Sequence, residues 1–149
     1  MSERVLLFTM AGMLIPTIAT GCGGDTDGLS KARYVSKLDA MCREFSAREG
    51  QIGEPHSNGD LIDKEPQILD AFEKTIADKV GDLHAPPEIA AQADRLGEIA
   101  DQQRDVLAGL AAAAKKGDLA KVQRLLARNA ALNMQSSTIA HQLGANACS

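Results

Sequence analysis

The sequence predicts an all-α protein, an antiparallel up-down four-helix bundle set behind a cleaved N-terminal signal and a flexible tether. Three observations lead there. Beyond residue 29, apolar residues recur every three or four positions in four segments, with no two-residue alternation of the kind a strand shows. The connections between these segments are short and marked by Gly and Pro, so consecutive helices become antiparallel neighbours. Aromatic residues make up only 3% of the chain and Trp is absent, so the core must come from Leu, Ile, Val, Met and Ala. Such small core residues favour close helix packing over a large ligand cavity.

The first helix begins at Ser30, a good N-cap, with Tyr34, Leu38, Met41, Cys42 and Phe45 on one face. It ends near Ile52, where Gly53, Pro55, Asn58 and Gly59 predict a polar loop. The second helix is expected from an N-cap at Asp63, with Pro66 in its first turn, where no backbone donor is needed. Its inner stripe reads Leu69, Phe72, Ile76, Val80 and Leu83. Ala85-Pro86-Pro87-Glu88 breaks that helix and opens the third, whose core face carries Ile89, Ala93, Leu96, Ala100, Gln103, Leu107, Leu110 and Ala114. Lys115-Lys116-Gly117 supplies cations in a last turn and a left-handed cap, and Asp118 caps the fourth helix immediately afterwards. The fourth helix presents Val122, Leu125, Leu126, Asn129, Leu132, Asn133, Ser136, Ala140 and Leu143, then stops at Gly144.

The N-terminus reads as an address. A short apolar run from Val5 leads into Ala19-Thr20-Gly21-Cys22, followed by a Gly/Asp-rich stretch. The run is shorter than the roughly 20 apolar residues a spanning helix needs, and fits a cleaved signal core. Small residues before a cysteine suit a peptidase that exposes the cysteine for lipid attachment. The expected organisation is therefore a lipoprotein signal peptide at 1–21, a tether at 22–29 and the bundle at 30–149. Acylated Cys22, carrying palmitate-type chains, would hold the domain at the extracytoplasmic face of the cell membrane, since two-chain anchoring is stable. An ordinary secretory signal with a chance cysteine and an uncleaved anchor are the alternatives.

Removing residues 1–21 takes one acid, Glu3, and one base, Arg4, so the net charge stays at -4 and argues against nucleic acid as a partner. If Cys22 carries lipid, Cys42 and Cys148 remain, and in an oxidising compartment such a pair usually closes. In an up-down-up-down bundle the end of the fourth helix returns beside the first, so pairing and topology support each other. Two free buried thiols would require the chain to stay in the cytosol.

The pattern resembles small uncharacterised lipoproteins of high-GC Gram-positive (actinobacterial) bacteria. The residues that carry the resemblance are Tyr34 and Asp39 ahead of Cys42, Pro86-Pro87 before a long helix, and Gly144 followed by Cys148. The resemblance implies a cell-envelope location and a disulfide from the first helix to the tail, and it brings no reaction or catalytic residue with it.

Within the bundle the most distinctive feature is polar. Asn129, Asn133 and Ser136 lie mid-stripe on the fourth helix, and counting outward from the Gly117 turn sets Gln103 opposite them. This reads better as a hydrogen-bonded layer that fixes register than as a small polar pocket. Asp94, Glu98, Asp101 and Asp105 form a row on the outer side of the third helix, partly offset by Arg95 and Arg104. Lys121, Arg124 and Arg128 are a basic counterpart on the fourth. His56, His84 and His141 lack metal-ligand spacing, and no cofactor, metal or nucleophile motif stands out. The expectation is a non-enzymatic envelope module that binds a small ligand or another envelope protein. The alternative is an accessory or sensor subunit that recruits a partner through the acidic row.

Overall fold

A computed structural model describes residues 29–148, and these are helical throughout apart from short connections. The expected export signal, Cys22 and the expected tether as far as residue 28 lie outside the described residues. Helix α1 is Lys31–Ile52, with Ser30 Oγ accepting from Arg33 N at 3.4 Å and Gly53, at φ 76°, closing its end. Leu29, expected as tether, belongs to the domain: its N–H donates to His84 O at 2.9 Å and its side chain rests against the core.

Helix α2 starts at Asn58, earlier than the expected cap at Asp63. Ser57 Oγ accepts from Asp60 N at 3.1 Å while Asp60 Oδ2 accepts from His56 N at 3.0 Å. This reciprocal cap satisfies two otherwise orphaned donors and outweighs the poor helix propensity of Asn58 and Gly59. Pro66 consequently lies inside the helix, on its exposed side. The helix runs Asn58–Phe72, passes through a π-helical turn at Glu73–Ala77, and ends in a last α turn at Asp78–Val80. That wider turn rotates the inward face. Glu65, Ile68, Ala71, Phe72, Thr75, Ala77 and Val80 are buried, whereas Leu69, Ile76 and Leu83 of the expected stripe are only partly covered. Thr75 returns its hydroxyl to Ala71 O at 2.7 Å, which makes its burial tolerable.

Helix α3, Ala90–Lys115, is entered through a 3-10 turn at Pro87–Ile89, and all eight of its expected core positions are buried, with Ile99, Val106 and Ala113 besides. At its end Gly117 N bonds Ala114 O and Asp118 N bonds Ala113 O, a left-handed cap at φ 67°. Asp118 Oδ1 then accepts from Lys121 N at 3.0 Å and opens helix α4, Leu119–Leu143. The α3/α4 hairpin is the tightest seam of the bundle. A Cβ at Gly109 would stand 3.2 Å from Leu125 Cδ1, so the absence of a side chain there sets the helix separation.

The remaining side of the bundle is looser. Helix α1 packs on α2, α2 on α3 and α3 on α4, but no comparable backbone seam joins α1 to α4. The C-terminal 3-10 turn, Asn146–Cys148, packs against both and bridges them. Gly144, at φ 93°, turns the chain back, and Ala145 is wholly buried. Asp39 Oδ1 accepts from Ala147 N at 2.8 Å and Cys42 is bonded to Cys148 across a Cα–Cα distance of 5.3 Å. The Asp39/Cys42 pair of the resemblance thus grips the tail twice from one turn of α1.

Because the bond closes a loop with a sequence separation of 106, Cys148→Ser should lower stability by about 3–5 kcal/mol. Urea titration checks this, and far-UV circular dichroism in the absence of denaturant should be unchanged because the helices themselves do not depend on the bond.

Candidate functional site

Where α1 and α4 fail to meet, a groove opens, floored by α2 and α3. It has two lobes, with Phe45, Glu49, Phe72, Gln103 and Asn133 bordering both. The first, about 240 Å³, extends toward the α1–α2 loop between Leu61, Glu65, Ile68, Leu107, Leu110, Leu126 and Asn129. The second, about 350 Å³, runs to the disulfide between Leu38, Ser46, Ile76, Ala100, Ser136 and Ala140. Phe45 and Phe72 meet edge to face, centroids 5.6 Å apart, and form one apolar wall. The small residues expected to exclude a cavity do so only in the α3/α4 hairpin.

The expected polar layer is present in part. Gln103 Nε2 donates to Asn133 Oδ1, as the count from Gly117 requires. Only Gln103 is buried, at 8% exposure; Asn129 and Ser136 are half-buried and Asn133 is exposed. Ser136 Oγ turns to Asn133 O instead of to Gln103. The layer is therefore not a closed register device. Without α1 packed over it, the α4 stripe faces the groove, and Leu126 is left 45% exposed. Gln103 and Asn133 form a polar rung between the two lobes.

The residue that the periodicity argument missed is Glu65. It is 3% exposed, and its Oε1 is buried with no hydrogen-bond partner among the described residues. No Lys, Arg or His lines its lobe; the only other charged wall residue is Glu49, at the rim. Burial, and secondarily the charge of Glu49, pushes the Glu65 carboxyl up to about 7. Glu49 is itself raised by burial and by Glu54. The one available signal was register: Glu65 is three residues before Ile68 and seven before Phe72, on the buried face once α2 starts at Asn58. A second orphaned group, the Tyr34 hydroxyl, is also buried, and burial followed by the charge of Asp94 raises its pKa.

The acidic row lies on the surface. Glu98 pairs with Arg95 at 2.7 Å and Asp101 with Arg104 at 3.4 Å, and Arg104 also reaches Asp78 at 3.6 Å. Asp94 and Asp105 are exposed. On α4, Lys121 and Arg124 face solvent, while Arg128 donates to Gln102 Oε1 at 3.3 Å. Among the described residues no three His, Cys, Asp or Glu side chains gather as a metal site, and no helix is long and apolar enough to cross a membrane. Ser136 and Thr138 direct their hydroxyls to helix carbonyls. Compared with known proteins, the chain matches no family model, no curated protein and no solved structure.

An acid held near 7 in the fold, against an ordinary value of 4.5, binds more protons when native than when unfolded. Stability should therefore decline as pH rises from about 4.5 to about 7 and level off above, a loss on the order of 3 kcal/mol. Glu65→Gln should abolish most of that decline, making the variant the more stable chain near pH 8 and no more stable near pH 4. Denaturant titrations across this range test it. Gln103→Leu should leave stability within about 1 kcal/mol of the parent, because exposed Asn133 recovers its hydrogen bond from water; the same titration near pH 8 checks this.

Proposed function

We propose that the protein is a non-enzymatic cell-envelope binding module, anchored through lipid on Cys22, that takes a small ligand with an apolar body into the groove between α1 and α4. One observation carries the binding reading: a buried, unpartnered carboxyl faces an open apolar cleft. Leaving Glu65 there costs stability, and a protein gains from such a cost only if something completes the site. Ligand sites in helical bundles commonly lie between facing helices, apolar with a few convergent polar groups. The Cys42–Cys148 bond supports an oxidising location outside the cytosol, and the apolar run ahead of Cys22 supports export. Recruitment of a partner through Asp94, Glu98, Asp101 and Asp105 is less favoured, because Arg95 and Arg104 already offset two of the four.

Two measurements test the proposal. Intact mass of protein extracted from membranes should show cleavage before Cys22, a diacylglyceryl addition and an oxidised cysteine pair; an unprocessed, reduced, soluble chain would overturn the anchoring. Titration with neutral 2-phenylethanol, followed by methyl NMR, should shift Ile68, Leu107, Leu110 and Leu126 together and saturably. Asn133→Trp, which fills the groove from its exposed edge, should suppress those shifts. Their absence in the parent, with 2-phenylethanol and with protonated 2-phenylethylamine alike, would remove the binding role.

A further inference from the structure

We infer that the ligand of the groove is an organic cation, a protonated amine on an apolar body, with its nitrogen seated at Glu65 beneath Glu49 and its body against Phe45 and Phe72. The inference rests on the groove being a binding site and names what that site selects.

Charge decides the class. The lobe around Glu65 is walled by apolar side chains and amides, and its two charged groups have the same sign. An anionic ligand entering there would meet two carboxylates with no cation to balance it. A neutral ligand would leave the ionised form of Glu65 unpaired in an apolar setting, which is costly. A protonated amine removes the cost by setting a positive charge against this carboxyl, whose Oε1 is buried and has no partner among the described residues. Charge-assisted bonds of this kind are among the strongest side chains make.

Other features of the lobe point the same way. Phe45 and Phe72 place aromatic surface beside the two carboxyls, and ring faces attract cations within about 6 Å. Gln103 and Asn129 also line this lobe, and their amides can accept as well as donate. A bare divalent ion is a poor match, since calcium takes roughly six to eight oxygen ligands and magnesium a near-ideal octahedron. Most of this wall is hydrocarbon. At about 240 Å³ the lobe suits a short alkyl or aryl body, and a longer one would pass the Gln103–Asn133 rung toward the disulfide.

The test compares three probes of similar shape on the full-length protein extracted in a non-ionic detergent, by calorimetry near pH 8 against detergent blanks. Protonated 2-phenylethylamine should bind saturably and at least about tenfold more tightly than 2-phenylethanol, with 3-phenylpropanoate not binding. Glu65→Gln should weaken the amine by about tenfold or more and so erase its advantage over the alcohol, with unaltered circular dichroism showing that the fold persists. Glu49→Gln should weaken the amine by a smaller factor. If the alcohol or the acid binds as tightly as the amine, or if Glu65→Gln leaves amine binding intact, the groove is a binding site but the cation inference is wrong. If none of the three binds, both readings fall.

Discussion

The structure depends on a clamp at one end of α1. The Cys42–Cys148 bond and the Asp39–Ala147 hydrogen bond sit one helical turn apart and hold the C-terminal turn against the first helix. Because the tail follows directly from α4 through Gly144 and buried Ala145, this clamp closes the bundle at that point. It also fixes how far apart the two helices stay. With a short tail inserted between them, α1 leans on α2, and the stripe on α4 that would have covered it borders a groove.

That spacing changes what the polar residues do. In a closed bundle Gln103, Asn129, Asn133 and Ser136 would satisfy one another and set the register. Here the register of α3 against α4 is already set by the Gly117 turn and by the close approach of Gly109 to Leu125, so the polar residues are free to line a cleft. Glu65 follows the same logic. A carboxyl buried without a cation destabilises the native state at neutral pH, and the protein tolerates it because the α3/α4 hairpin, the tail clamp and a well-capped α2 stabilise the rest. Tyr34 carries its own burden, a wholly buried hydroxyl with no partner, on the same helix as Glu49.

Much of the architecture was legible in the residues. Ser30, Asp118, Gly117 and Gly144 cap helices where expected, and every position expected on the core face of α3 is buried, with Ile99, Val106 and Ala113 widening it. The start of α2 was not, since its cap relies on Ser57 accepting from Asp60 N while Asp60 accepts from His56 N, a pattern that composition disguises as loop. The π-helical turn after Phe72 then shifted the inward face of the rest of that helix. A wheel drawn at a constant 100° has no means of registering such a turn.

Local chemistry therefore determined the helices, their order and the sharp α3/α4 turn, because caps and breakers act over a few residues, whereas the pairing of Cys42 with Cys148 was expected on the premise that lipid takes Cys22. Tertiary packing alone decided that α1 and α4 stand apart, that Gln103 faces a cleft instead of a sealed layer, and that an acid of α2 ends up buried beside two phenyl rings. Those outcomes depend on how four long surfaces share one limited core, and no single segment carries that information.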